Sequence, residues 1–205
     1  VWNLSLNSAG MCVRFRSDAT VLQAHWVLRS KTIAMNHMPA TGVSGLDLYT
    51  RGTDGKWRWV AVARPEGQEN TVSLVSGLPP GEREFMLYLP LYNGVSAVEI
   101  GLPPESRLGL PPPRPEARRR PVVFYGTSIT QGGCASRPGM VHTAILGRWL
   151  DAPVLNLGFS GNGKMEAALA ELLAELDAAI YVLDCLPNMT AEQVTERVEP
   201  FVRIL

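Results

Sequence analysis

Ser128 stands in the pattern best suited to chemistry, Gly126-Thr127-Ser128-Ile129-Thr130-Gln131-Gly132-Gly133, directly after the apolar run Val122-Val123-Phe124-Tyr125. A short apolar run without helical period, ending in a glycine turn, predicts a buried parallel strand. Such a turn lifts the Ser128 hydroxyl to the carboxyl edge of a sheet, where open α/β folds place their ligands. An isolated Gly-x-Ser more often only caps a loop or helix, so the weight falls on the residues that meet it. Two further predicted strands end in Gly158-Phe159-Ser160-Gly161-Asn162 and in Asp184-Cys185-Leu186-Pro187-Asn188. In a parallel sheet these ends share one rim with Ser128. Acyl transfer needs a nucleophile and donors aimed at a developing oxyanion; a serine hydroxyl, a glycine N–H and an asparagine amide meet those needs.

The elements that must position these residues are legible from residue 121 onward. Val122 to Tyr125, Val154 to Leu157 and Ala179 to Leu183 read as strands. Helices are predicted through Val141, Ile145 and Trp149, and through Met165, Leu169, Leu172, Leu173 and Leu176, by their 3.6-residue period. Thr190-Ala191-Glu192-Gln193 is a capping box that opens a third helix. This β-α-β-α-β-α order predicts a parallel sheet with right-handed crossovers. Three strands leave an exposed edge and Leu205 falls inside an amphipathic helix, so an α/β domain incomplete at its C-terminus is expected.

The first half reads differently. Val13 and Phe15 alternate with Arg14 and Arg16, Trp57, Trp59 and Ala61 with Lys56 and Arg58, and Phe85, Leu87, Leu89 and Leu91 share a face. These are half-buried antiparallel strands. Thr53-Asp54-Gly55 marks a hairpin, because Gly accepts the positive φ of such turns. Repeated strands without helices predict an all-β sandwich or jelly roll over residues 1–102. Trp2, Trp26, Trp57, Trp59, Tyr88 and Tyr92 suit either a sugar-binding platform or core and domain-contact packing. From Pro103 to Pro121 seven prolines and five arginines predict an extended linker over residues 103–120, followed by the α/β domain over 121–205.

Composition sets limits on partners. Nineteen basic and nineteen acidic side chains give a formal net charge of zero, so no global field draws in nucleic acid or an anionic membrane. No apolar stretch approaches the roughly 20 residues that span a bilayer. The chain opens on Val1, which leaves an earlier segment and the compartment open. Cys12, Cys134 and Cys185 are too few and too scattered for a disulfide framework or a zinc site. Separate thiols, no metal and no cofactor are expected.

Gly126-Thr127-Ser128-Ile129-Thr130, Asn156-Leu157-Gly158-Phe159-Ser160-Gly161 and Pro187-Asn188 resemble, in order and spacing, the first three sequence blocks of the SGNH hydrolases, or GDSL-like lipase/esterase family. The β-domain looks like the accessory jelly roll of one bacterial branch. The resemblance implies a flavodoxin-like three-layer α/β/α fold and a serine esterase acting on small or carbohydrate esters, often acetyl groups. It implies Ser128 as nucleophile, with its own N–H, the Gly161 N–H and the Asn188 side chain lining the oxyanion hole. Thr127 departs from the Asp of the commonest first block. The last block, an Asp and a His three residues apart, is absent, and no His follows His142. The general base is therefore expected from outside this chain, and His142, early in the next helix, is a poor substitute.

Two other readings use the same residues. Gly158-Phe159-Ser160-Gly161-Asn162-Gly163-Lys164 fits a phosphate-binding loop, with Tyr181-Val182-Leu183-Asp184 as a magnesium-binding run. Met165, however, occupies the position whose hydroxyl would bind that metal, and a thioether is a poor ligand for hard Mg²⁺. The other is a carbohydrate-binding module joined to a degenerate, non-catalytic hydrolase domain.

Overall fold

A computed structural model describes residues 1–205. The first half builds two antiparallel sheets. Strands β1 (Cys12–Ser17), β3 (Leu46–Arg51), β4 (Trp57–Ala63), β6 (Arg83–Tyr88) and β8 (Leu108–Gly109) form the larger, in the order β4-β3-β6-β1-β8. Strands β2 (Leu22–Leu28), β5 (Glu69–Val75) and β7 (Val95–Gly101) form the smaller, with β2 central. Phe15, Trp26, Leu46, Leu48, Phe85 and Leu87 are among the side chains that fill the space between the sheets. The Thr53-Asp54-Gly55 turn joins β3 to β4, with Gly55 at φ +76°.

Strands β3 and β6 explain how this sandwich meets the rest of the molecule. Period-two geometry sends Leu46, Leu48, Phe85 and Leu87 inward. It sends Asp47, Tyr49, Met86 and Tyr88 to the opposite face, which is also buried. There Tyr49, Met86, Tyr88 and Leu91 pack with Val141 and Ala144 from the second half. Leu91 thus leaves the inward face predicted for it and joins this contact.

The second half is a parallel sheet of β9 (Val122–Gly126), β10 (Val154–Gly158) and β11 (Ile180–Asp184), in the order β10-β9-β11. All five residues of β9 are buried, as the unbroken apolar run requires. Helix α4 (His142–Leu150) lies between this sheet and the sandwich. Helices α5 (Ala167–Ala174) and α6 (Ala191–Ile204) cover the other face through Ala170, Leu173 and Phe201, which pack with Val123 and Tyr125. The capping box of α6 is formed: the Thr190 hydroxyl accepts from the Gln193 N–H, and the Gln193 side chain accepts from the Thr190 N–H.

Two segments depart from their sequence pattern. The proline- and arginine-rich stretch from residue 103 is docked, since Leu108 and Gly109 pair with Ser17 and Arg16 of β1. Arg114 and Arg118 both reach within 4.0 Å of Asp151 at the end of α4. The first residues form a short helix, α1 (Trp2–Ser5), and a second, α2 (Ala40–Val43), precedes β3; Leu4 packs against the core of the α/β half. Of the six aromatic residues that could have formed a platform, Trp57 and Tyr92 pack against the contact between the halves. Trp26 is fully buried, Tyr88 lies in the domain contact, and Trp2 is 76% exposed.

Candidate active site

Register brings the three strand ends together. Gly126 pairs with Gly158 on one side and with Asp184 on the other, so the loops carrying Ser128, Gly161 and Asn188 leave the same edge of the sheet. Ser128 is the first residue of α3 (Ser128–Gln131) and half-buried. Thr127 is the N-cap, its hydroxyl accepting from the Ile129 N–H at 3.3 Å, so the Ser128 hydroxyl is not used for capping.

The second loop is pressed against the first. Gly163, at φ +72°, lies so close to the Gly126 carbonyl and the Thr127 N–H that a Cβ there would collide with them. Phe159 N–H donates to the Gly126 carbonyl at 2.9 Å. Gly161 has φ +73°, is exposed, and its N–H meets no protein acceptor. The third loop closes on the second, the Asn188 side-chain amide donating to the Asn162 carbonyl at 2.7 Å. Thr130 ties α3 to the third strand by donating to the Asp184 carboxylate at 2.7 Å.

The phosphate-loop reading fares poorly in this geometry. Helix α5 starts at Ala167 rather than at the lysine, and most of the loop amides, Gly161 and Gly163 excepted, are occupied within the protein. Ser160 N–H donates to Gln131 Oε1, and Lys164 N–H to the Glu166 carboxylate. Burial would raise the Glu166 carboxyl. The bonds from Tyr125 and Lys164 and the charge of Arg197 instead hold it below its ordinary range. An anion of the protein thus already faces the Lys164 amide. Met165 is buried in the core beneath α5 and α6.

Three further polar residues tie the Ser128 turn and the loops around it to the sandwich. Tyr92, from the loop between β6 and β7, donates its hydroxyl to the Ser128 carbonyl at 3.2 Å. Burial raises that phenol, so it is a neutral donor. Gln131 is fully buried. Its Nε2 donates to the Leu91 carbonyl at 3.1 Å, while its Oε1 accepts from Ser160 N–H at 2.9 Å. One side chain therefore links the sandwich, the Ser128 turn and the Gly161 loop. Asp47 accepts from Gly139 N–H at 2.8 Å and from Trp59 Nε1 at 3.0 Å, with Arg137 Nε at 3.3 Å. It anchors the loop that follows α3, and burial pushes its carboxyl up to about 6 against those three partners. A signal for Asp47 existed: a carboxylate alternating with Leu46, Leu48 and Tyr49 on a strand needs buried partners.

The other candidates sit apart from one another. His142 opens α4 with its ring edge-on to Phe124. Cys134 is exposed, Cys185 is buried with its thiol pushed up to about 12 by that burial, and all three cysteines are free. No helix is long and apolar enough to cross a membrane.

Residues 1–108 match the family described as the N-terminus of SGNH-hydrolase-type esterases, designated GxDLY. Residues 119–205 match the GDSL-like lipase/acylhydrolase family. Gly45-Leu46-Asp47-Leu48-Tyr49 supplies the Gly-x-Asp-Leu-Tyr pattern, so its aspartate is the interdomain carboxylate described above. Among solved structures, a Bacteroides ovatus protein assigned as a GDSL-like lipase is 38% identical, with a TM-score of 0.91 over 98% of this chain. A salicylyl-acyltransferase of a tetracycline biosynthetic pathway shares the fold at 19% identity, with a TM-score of 0.71 over 97% of the chain. A family two carbohydrate esterase from Clostridium thermocellum, solved with cellohexaose, does so at 20% identity, with a TM-score of 0.56 over 78%. The chain spans 58%, 55% and 48% of those three chains respectively. No curated protein matches it.

Proposed function

Since the chain belongs to the SGNH, or GDSL-like lipase/acylhydrolase, family, we propose that it carries the nucleophile and oxyanion hole of a serine ester hydrolase. We read the sandwich as the accessory jelly roll and the order β10-β9-β11 as the first three strands of a flavodoxin-like sheet. The accessory unit runs from residue 1 to Gly109, with the connection from there to Arg120 and the catalytic unit from Pro121 onward.

The observation that carries this reading is the packing of three loops at one sheet edge. Gly163 lies against the Ser128 turn, and the Asn188 amide bonds to Asn162. In the proposed reaction Ser128 Oγ attacks the acyl carbon and its proton passes to a histidine base from outside residues 1–205. The carbonyl oxygen gains the negative charge and is met by the N–H groups of Ser128 and Gly161 and by the Asn188 amide. The free Gly161 N–H supports its part. The second Asn188 amide hydrogen can serve the oxyanion while the first holds Asn162. Collapse expels the alcohol, and water hydrolyses the acyl-serine. Acetyl groups on carbohydrate are the substrate class we favour.

The test is turnover of a small acetyl ester by the chain joined to a segment bearing the Asp-x-x-His block. Ser128→Ala should abolish it, and Asn188→Ala should lower kcat by roughly 10²-fold or more. Unchanged turnover in either variant would sink the assignment.

A further inference from the structure

A cavity beside the end of α4 lies between the sandwich and the second half, with no residue of the parallel sheet in its wall. Its volume is about 620 Å³, within the size range of small-molecule sites. Arg51, Lys56, Arg118, Arg137 and Arg148 line it, with Asp151 as the one carboxylate. In a chain of zero net charge this is a local concentration of cations.

Carboxylates nearby do not balance them. Asp151 is shared by three arginines: Arg51 at 2.8 Å, and Arg114 and Arg118 at 4.0 Å. Arg51 also approaches Glu84 at 3.5 Å, and Arg137 pairs with Asp47. Lys56 and Arg148 lie within ion-pair distance of no carboxylate. Arg148 is held instead over the Tyr49 ring at 4.0 Å, its Nη2 donating to the Gly139 carbonyl at 2.7 Å. Its Nη1 and the Nε1 of Trp57, both on residues of the cavity wall, are buried donors without a protein acceptor. The cations of the wall outnumber its one carboxylate, and guanidinium geometry suits an oxyanion.

The rim adds an apolar requirement. Trp149 is 78% exposed and Met140 41% exposed, and both line the same cavity. A bare phosphate ion has no surface to cover an indole face. A sugar ring bearing a carboxylate offers C–H groups for Trp149 and two oxygens for the arginine forks.

We propose that this interdomain cavity binds carboxylate-bearing sugar units, as in an acidic polysaccharide. The site is separate from Ser128 and does not rest on the hydrolase reading, because binding is measured without turnover.

The experiment is calorimetric titration of the chain, in low-salt buffer free of phosphate, with a galacturonate trimer, the neutral galactose trimer and inorganic phosphate. The acidic trimer should bind at least about tenfold more tightly than the neutral one. Trp149→Ala, and separately Lys56→Met with Arg118→Met, should each weaken it by about tenfold; these side chains are exposed enough to be replaced without disturbing the fold. Equal affinity for the two trimers, or affinity unchanged in both variants, would overturn the proposal. Phosphate bound with no binding of the acidic trimer would overturn the sugar assignment.

Discussion

The hydroxyl of Tyr92 donates to the main-chain carbonyl of Ser128 across the boundary between the two halves. The same carbonyl accepts from Gly132 N–H at 3.1 Å and Gly133 N–H at 2.7 Å. A residue of the sandwich is thus built into the turn proposed to hold the nucleophile. Because the carbonyl keeps two other donors, Tyr92→Phe should lower unfolding free energy by only about 1 kcal/mol. A loss above about 3 kcal/mol in urea melts would mean that the phenol does more than this bond.

Gln131 should matter more. Gln131→Leu preserves much of its bulk but leaves the buried Leu91 carbonyl and the half-buried Ser160 N–H unpaired. One buried and one half-buried group abandoned together should cost about 2 kcal/mol or more in chemical denaturation. Stability within about 0.5 kcal/mol of the parent would show that both groups find other partners.

Asp47 predicts a pH dependence of defined sign. Its carboxyl titrates near 3.8 in the unfolded chain and at about 6 in the folded one. Between those values the folded state holds the extra proton, so stability falls as pH rises through this window and is level above it. The change attributable to this group is about 3 kcal/mol. Asp47→Asn removes the titration, so the parent's stability relative to that variant should decline from about pH 4 to about pH 7. A difference that stays flat, or rises, over that range would contradict the assignment.

Two glycines of one loop should respond unequally. Gly163→Ala drives a methyl into the Gly126 carbonyl at positive φ and should cost about 3 kcal/mol or more. Gly161→Ala meets open space and should cost only the backbone term, about 1 kcal/mol. Denaturation midpoints in the opposite order would mean the loop is packed differently.

What could be read from sequence was local. β9 is legible because a strand buried on both faces is a continuous apolar run, and α6 because Thr190 and Gln193 stand at capping-box spacing. The site loops follow from turn residues at strand ends. The ties between the halves are not legible in that way. Tyr92 meets Ser128, Gln131 meets Leu91 and Asp47 meets Gly139 across long stretches of chain, and no periodicity encodes such partners. Strand β8 has two residues and α1 four, too few for a period to show. The proline-rich stretch suggests a spacer because prolines resist regular structure, yet Leu108 and Gly109 still offer enough backbone to pair with β1.

The placement of α1 bears on the order in which the molecule can be assembled. Leu4 packs with the core of the α/β half, and Gly10 touches Asn156 of β10. On a ribosome, α1 emerges well before the surface it docks on is made. The sandwich can close while its own leading segment stays loose, and α1 seats only after β10 has been synthesised and paired with β9. Helix α1 is therefore a late-forming latch, and its protection from proteolysis reports that the second half has folded.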